Sequence, residues 1–276
     1  MLDFIKSFIL GIVEGITEWL PVSSTGHLIL FDEFLKLNVS EDFSSMFNVV
    51  IQLGAIIAVV ILFWNKIWPF QNPKTGGSLF KTNAVLLWVK IVISCIPAGL
   101  MVVLGLDEKC EELFYSPIPI AIALIVVGVA FIVIETIYKN KLSSVNALQD
   151  ITYIQAALIG VFQVLAAVFP GTSRSGITII AGLLLGLSRS VAAEYTFVLS
   201  VPVMFGASLI KLLDFGFSYS ANELIILLIG FTSAFLVSLL VIKFLMNFIK
   251  KHDFKVFGIY RIVLGIAVIL YFSIVK

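Results

Sequence analysis

The sequence is poor in charged residues, and this scarcity excludes most soluble proteins. Only 13% of its 276 residues are charged, while 60% are hydrophobic and the mean hydropathy is +1.12. A chain of this composition cannot cover itself with a normal solvated surface, so it must face lipid. The formal net charge of +1 provides no basic face for nucleic acid, and no nucleic-acid partner is expected.

Cysteine and histidine are also scarce, with two residues of each type. Cys95 lies in an apolar run and Cys110 in a polar segment, so the pair has neither the spacing of a metal site nor the number needed for a disulfide framework. The apolar N-terminus carries Glu14 and Glu18, which a cleavable signal peptide would not tolerate, so it is expected to be retained.

Long apolar segments dominate what remains. Six of them approach the roughly 20 residues that a helix needs to cross a hydrocarbon core of about 30 Å. The sequence therefore predicts an all-α membrane protein with six transmembrane helices in a single integral domain, residues 1–276. The predicted spans are 49–64, 84–105, 118–138, 191–213, 224–248 and 254–274.

Two further apolar stretches, 4–30 and 154–187, are interrupted near their middles by polar turns at 21–26 and 170–176. Non-helical backbone at membrane depth is tolerated only where it is buried in protein or lines a watery cavity. Each stretch is therefore predicted to form a re-entrant helix pair, and the two turns are the predicted site.

The two interrupted stretches resemble each other at a constant offset of 149 residues. Residues 11–14 match 160–163, and 20–24 match 169–173. Each stretch is followed by three predicted spans, and an odd number of crossings inverts the second copy relative to the first. The sequence thus predicts an inverted-topology repeat of about 1–140 and 150–276, whose turns face each other near the midplane.

Lysines fall in alternate loops, which the positive-inside rule places on the cytoplasmic face. The remaining loops are acidic and are expected on the opposite face. The basic set is Lys66, Lys74, Lys81, Lys139, Lys141, Lys250, Lys251 and Lys255, and the acidic set is Asp32, Glu33, Glu41, Asp42, Asp107, Glu108, Glu111, Glu112, Asp214 and Glu223.

Glu14 and Glu18 are four residues apart in an apolar segment, so on a helix both carboxylates lie on one face. Acidic groups at bilayer depth are costly and usually mark function. Two carboxylates at an open site suit a divalent cation such as Mg²⁺ or Ca²⁺, which prefers oxygen ligands. The alternative is a protonated pair that hydrogen-bonds to neighbouring helices.

His27 directly follows Ser23, Ser24 and Thr25 in the first turn. A histidine can exchange a proton near neutral pH, and Ser24 lies close enough in sequence to be the nucleophile that it serves. The alternative is a polar residue that only packs the turn. His252, the other histidine, lies in a basic loop and is expected to be solvated.

The second turn combines a chain reversal, several hydroxyls and one guanidinium at the start of a helix. Helix N-terminal N–H groups, the helix dipole and the planar fork of Arg174 all complement phosphate oxygens, which predicts an anion site. An ordinary serine N-cap would explain Ser173 or Ser175 but leaves Arg174 without a counter-charge. Arg189 is expected to snorkel to the interface, and Arg261 to be either a site residue or a membrane anchor.

These two turns resemble those of the undecaprenyl-pyrophosphate phosphatase family, the membrane enzymes associated with bacitracin resistance. The family's paired-glutamate motif corresponds to Glu14 and Glu18, followed by residues 20–28, and its second motif corresponds to 170–178. The resemblance covers nearly the whole chain. It implies hydrolysis of undecaprenyl pyrophosphate to undecaprenyl phosphate and inorganic phosphate, which recycles the lipid carrier for peptidoglycan synthesis.

The resemblance also implies a set of site residues. Catalytic roles are expected for Ser24, His27, Glu14, Glu18 and Arg174, with Glu14 and Glu18 also holding Mg²⁺ or Ca²⁺. Whether Ser24, His27 or water attacks the phosphorus is left open. Substrate-binding residues are expected to be Ser23, Thr25, Gly171, Thr172, Ser173, Ser175 and Thr178.

The expected partners are a polyprenyl pyrophosphate lipid and the membrane itself, and a homodimer is also compatible with the sequence. The resemblance implies a multi-pass location in the bacterial cytoplasmic membrane, with the site open to its outer face.

Two other functions fit parts of the pattern. A lipid phosphatase of the phosphatidate class would need a second catalytic histidine with an acidic partner, and only His252 remains for that role. A polyprenyl-lipid flippase or secondary transporter would share the broken helices and inverted repeats, so fold alone does not exclude transport. Translocation has no need, however, of Ser24, His27 and Arg174 together.

Overall fold

The computed structural model describes residues 2–71, 79–139, 141–216 and 219–274, without the side chains at 29, 30, 32–34 and 111. Within these ranges the chain is helical, and its only β-structure consists of isolated β-bridges. The α-helices are α1 (Leu2–Thr17), α2 (Ser24–Leu35), α3 (Glu41–Ile67), α4 (Thr82–Val103), α5 (Leu106–Phe114), α6 (Pro117–Ile137), α7 (Tyr153–Val168), α8 (Arg174–Leu184), α9 (Arg189–Phe215), α10 (Ala221–Phe248) and α11 (Lys255–Ile274).

Six of the described helices, α3, α4, α6, α9, α10 and α11, are long and apolar enough to cross a membrane. They coincide with the six predicted spans, which confirms a multi-pass helical membrane protein. Helix α5 is not among the predicted helices, because its many acidic residues favour a loop. A short helix with an acidic first turn is nevertheless favourable, since carboxylates stabilise a helix N-terminus.

Both interrupted stretches form helix pairs, α1 with α2 and α7 with α8. Ser23 and Ser173 cap the second helix of each pair, and each side chain accepts the amide N–H three residues further on, at 3.3 and 3.2 Å. Both serines have positive φ, 74° and 70°, an uncommon conformation for residues other than glycine. Whether the pairs re-enter a membrane stays a prediction.

The register of the repeat differs between the helices and the turns. Gly11 and Gly160, which match at an offset of 149, both lie in close contacts of the first helix of a pair. Ser23 lies twelve positions after Gly11, but Ser173 lies thirteen positions after Gly160, so the capping serines align at an offset of 150. The constant offset is therefore wrong at the capping serines, because Ser173 lies one position further along its stretch than Ser23 does.

The packing pairs helices from opposite halves of the chain. Helix α1 packs on α10, α7 on α4, α3 on α9 and α6 on α11. Small residues allow the backbones to approach closely, as is typical of helices in membranes. A Cβ atom built on Gly128 would lie 2.7 Å from the carbonyl oxygen of Gly258, and one on Gly258 would lie 2.6 Å from that of Gly128. This crossing fixes α6 against α11.

An ion pair with a buried carboxylate joins α6 to α9 and to the residue that precedes α11. Arg189 donates to both carboxylate oxygens of Glu135, with Nε at 2.8 and 3.1 Å, and the Phe254 amide donates to the same carboxylate at 3.0 Å. Arg189 therefore does more than snorkel, because it also pairs with a buried carboxylate. Lys74, one of the lysines used to assign loop orientation, lies outside the described residues, and that orientation stays a prediction.

We expect Gly258→Ala to destabilise the protein, because its methyl group would meet backbone that cannot rotate away. The loss should be about 1–3 kcal/mol, as is usual for overpacking. Gly99→Ala is the matched control, since nothing lies within 4 Å of a Cβ there, and it should gain about 0.5–1 kcal/mol. Thermal unfolding in detergent measures both changes, and equal midpoints for the two variants would contradict the crossing.

Candidate active site

A cavity of about 400 Å³ lies where the two turns meet. The N-terminal residues of α2 and of α8 both contribute to its wall. Because the N-terminus of a helix carries partial positive charge and free N–H groups, two such ends at one cavity favour an anion. Its lining includes Glu18, Ser23, Ser24, Thr25, Gln52, Asp107, Tyr115, Gln163, Pro170, Gly171, Ser173, Arg174, Ser175 and Met204.

Glu18 connects the two turns. Its carboxylate accepts hydrogen bonds from Ser24 Oγ, at 3.2 Å to Oε2, and from Arg174 Nη2 to Oε1, while its backbone carbonyl accepts from Ser175 Oγ at 3.1 Å. Ser24 and Arg174 are each the first residue of their helix, directly after a capping serine. The two halves of the chain thus place a hydroxyl and a guanidinium at equivalent positions, on either side of one carboxylate.

Arg174 retains one nitrogen for a ligand. Its Nη1 is buried and has no acceptor among the described residues, whereas Nη2 bonds to Glu18 and contacts Met204 Sδ at 3.1 Å. Thr178 Oγ1 donates to the Arg174 carbonyl at 2.8 Å and pairs with Thr196 Oγ1 at 2.9 Å, which anchors the first turn of α8. A phosphate oxygen would provide the acceptor that Nη1 lacks.

Glu14 is 0% exposed, and neither carboxylate oxygen finds a hydrogen-bond donor among the described residues. Its charged neighbours are Glu18 and Arg174. Oxygens that can only accept, buried without a donor, require a proton or a cation. No group of three or more His, Cys, Asp or Glu residues suited to a metal occurs in the described ranges. Because Mg²⁺ usually keeps several waters and takes one or two carboxylates with substrate phosphates, Glu14 and Glu18 still fit such an ion.

The structure does not join His27 to Ser24. His27 Nδ1 lies 2.7 Å from the Ser23 carbonyl and Nε2 lies 2.6 Å from the Tyr260 hydroxyl, in an apolar groove apart from the cavity. A carbonyl can only accept, so Nδ1 carries the proton and the Nε2 lone pair accepts from Tyr260. Both nitrogens are therefore occupied, and this geometry gives no support to His27 as the proton partner of Ser24.

Arg261 holds both turns from behind. Its guanidinium is 0% exposed and donates to the carbonyls of Pro21 at 3.2 Å, of Gly171 at 2.9 Å and of Thr172 at 2.9 Å. Nε adds a long bond to the Leu124 carbonyl at 3.4 Å. One cation thus satisfies carbonyls of both non-helical turns, which would otherwise be unpaired in an apolar interior. Arg261 is neither a lipid-facing anchor nor part of the cavity wall.

Comparison with known proteins identifies the family. Residues 7–267 match the family described as bacitracin resistance protein BacA. The chain belongs to this family. It is 58% identical over 273 residues to the undecaprenyl-diphosphatase of Desulfitobacterium hafniense, which covers 99% of this chain and 97% of that protein. It is also 56% identical over 274 residues to undecaprenyl-diphosphatase 1 of Clostridium acetobutylicum, and 57% identical over 272 residues to the undecaprenyl-diphosphatase of Enterococcus faecalis, with at least 98% of each chain covered.

The cavity of this BacA-family chain contains most of the residues predicted for it. Glu18, Ser24 and Arg174 line it together with the predicted binding residues Ser23, Thr25, Gly171, Ser173 and Ser175. Thr172 and Thr178 lie behind the wall, where the Thr172 carbonyl accepts from Arg261 and Thr178 anchors α8. Four further residues line the cavity that no motif in the sequence indicated: Gln52, Asp107, Tyr115 and Gln163.

We expect Arg261→Met to destabilise the protein by about 3 kcal/mol or more, because three buried carbonyls lose their donor. Arg261→Lys should recover only part of this, since one ammonium cannot replace a fork that reaches both turns. Lys251→Met is the control, as it removes a cation whose side chain is exposed. If Arg261→Met unfolds thermally at the same temperature as Lys251→Met, the role of Arg261 between the turns is wrong.

Proposed function

We propose that this chain hydrolyses undecaprenyl pyrophosphate to undecaprenyl phosphate and inorganic phosphate. The observation that carries the proposal is the meeting of Ser24, Glu18 and Arg174 at one cavity between two helix N-termini. The names of the relatives support it over nearly the full chain length. No observation favours the flippase or transporter alternative.

The pyrophosphate group binds in the cavity. Arg174 Nη1 donates to a phosphate oxygen, while Nη2 continues to hold Glu18. Free N–H groups at the starts of α2 and α8 supply further donors, and both helix dipoles favour the negative charge. These groups are fixed before the substrate arrives, so little reorganisation is needed as charge moves during the reaction.

Ser24 is the proposed nucleophile and Glu18 its base, because their side chains already share a hydrogen bond. Ser24 Oγ attacks the terminal phosphorus, and its proton passes to Glu18. The bond from that phosphorus to the bridging oxygen breaks, so undecaprenyl phosphate leaves. Water then cleaves the phosphoserine: its hydroxyl group joins the phosphorus, its other proton returns to the Ser24 oxygen, and inorganic phosphate leaves with the proton that Glu18 took up. His27 holds the Ser23 carbonyl, next to the nucleophile, and acts through the conformation of the turn.

A divalent cation, Mg²⁺ or Ca²⁺, is proposed to bind at Glu14 and Glu18. The unsatisfied oxygens of Glu14 support this, since a cation would supply the charge that the buried carboxylate lacks. When bound, the cation would offset negative charge on the phosphate oxygens.

The same proposal places the enzyme in the bacterial cytoplasmic membrane with the cavity open to the outer face. Six apolar helices and relatives from bacteria support the location. The lipid monophosphate produced would re-enter peptidoglycan synthesis, and its continued supply would account for the association with bacitracin resistance. The homodimer stays a prediction.

The parent enzyme should release phosphate from a polyprenyl pyrophosphate, and Arg174→Ala should lose roughly a hundredfold or more in turnover, as removal of a transition-state donor commonly does. Arg174→Lys should keep part of the activity, because it retains charge without the planar fork. The assay uses detergent-purified variants that unfold at the parental temperature. Near-parental turnover by a folded Arg174→Ala protein would exclude Arg174 from the site, whereas a folded parent that releases no phosphate would contradict the proposed function.

Chelation with EDTA should abolish activity, and Mg²⁺ or Ca²⁺ should restore it. Without metal, Glu14→Gln should be at least as stable as the parent, since a neutral amide replaces a carboxylate buried without a donor. Added Mg²⁺ should raise the thermal midpoint of the parent but not of Glu14→Gln. Equal rates with EDTA and with Mg²⁺, or equal midpoint shifts in both proteins, would show that the cation site is assigned wrongly.

A further inference from the structure

Gln163 is a polar side chain in the apolar helix α7 that the mechanism above does not use. It is 2% exposed and lies in the wall of the active-site cavity. Neither its amide oxygen Oε1 nor its amide nitrogen Nε2 has a hydrogen-bond partner among the described residues. Buried amides in folded proteins are almost always paired, so one that is unpaired at a cavity requires a partner from outside the protein.

A second glutamine on the same helix shows how α7 satisfies an amide that serves the fold. Gln155 Oε1 accepts from the Thr152 amide at 2.8 Å, and Nε2 donates to the Leu185 carbonyl at 3.0 Å. Gln155 thus closes the N-terminal cap of α7 and joins it to the end of α8. Gln163 makes no such bonds, so packing alone does not explain an amide at this position.

Gln163 also occupies a particular place in the repeat, because it matches Glu14 at the offset of 149 that relates α7 to α1. Both side chains are buried with polar atoms that lack a partner. Glu14 offers only acceptors, which suit a cation, whereas the amide of Gln163 offers two N–H donors, which suit an anion. The two halves therefore differ in charge at equivalent positions.

We propose that Gln163 contacts the substrate, with Nε2 donating to an oxygen of the pyrophosphate group. This inference rests on the proposed function, since it assigns a further binding residue to the same cavity. The amide shares the cavity with Arg174 and adds a donor without adding charge. Oε1 accepts from water that enters with the hydrated pyrophosphate.

The test compares Gln163→Met, Gln163→Glu and the control Gln155→Met in the purified full-length chain. Methionine fills a similar volume without polar atoms, and glutamate keeps the shape but replaces the N–H donors with acceptor oxygens. Two quantities are measured for each variant: kcat/KM for a polyprenyl pyrophosphate, and the thermal midpoint with and without inorganic pyrophosphate.

Gln163→Met should unfold at or above the parental midpoint, because no bond within the protein is lost. Its kcat/KM should fall about tenfold to a hundredfold, the usual loss for one hydrogen bond to a charged group. The stabilisation by inorganic pyrophosphate should shrink in Gln163→Met and more strongly in Gln163→Glu. Gln155→Met should show the opposite pattern, with a lower midpoint and kcat/KM close to that of the parent.

Two results would overturn the role of Gln163. In the first, Gln163→Met has a lower thermal midpoint or fails to fold, while inorganic pyrophosphate stabilises Gln163→Glu as much as it stabilises the parent. That result would mean that the amide has a structural role. The other is parental kcat/KM with a parental pyrophosphate shift in both variants. If inorganic pyrophosphate raises the thermal midpoint of the parent but the parent hydrolyses no lipid pyrophosphate, the proposed function fails. The change in midpoint of the Gln163 variants still decides in that case whether the amide binds the anion.

Discussion

The structure depends on keeping two non-helical turns inside an apolar helix bundle. Backbone groups in such turns cannot bond to each other as they do in a helix, and lipid offers them nothing. Arg261 meets this constraint by donating to carbonyls of both turns from a fully buried position on α11. Because a single side chain serves both turns, the relative position of the turns is fixed together with their hydrogen bonding.

The helix pairing brings Arg261 and the turns to the same place. The crossing of α6 and α11 at Gly128 and Gly258 sets the distance between their backbones. Helices α1 and α7, which lead into the turns, each pack on a helix of the opposite half, α10 and α4. Each half therefore positions the turn of the other, and a cavity between the two helix N-termini follows from that exchange.

The two halves share the same arrangement of helices and turns but carry different side chains at equivalent positions, and that difference suits the cavity to a charged ligand. After a capping serine, the first half places Ser24 and the second places Arg174, with Glu18 bonded to both. On the first helix of each pair, the first half has an acceptor at Glu14 where the second has the amide of Gln163. A symmetric arrangement of carboxylates would repel a pyrophosphate, whereas this arrangement would allow the proposed anion and the proposed cation to lie side by side.

The sequence by itself determined the membrane class, the six spanning helices, the two turns and the family, because long apolar segments and motifs of neighbouring residues can be recognised without the tertiary structure. It misjudged α5, whose acidic residues suit a helix start as well as a loop, and it paired Ser24 with His27 on closeness in sequence. Only the tertiary structure decided that Glu18 is the neighbour of Ser24, that His27 bonds to Tyr260, and that Arg261 joins the turns. No local sequence pattern encodes these contacts, because they depend on the direction in which a side chain leaves a turn or they join residues that are far apart along the chain. They arise from the packing of one half of the chain on the other.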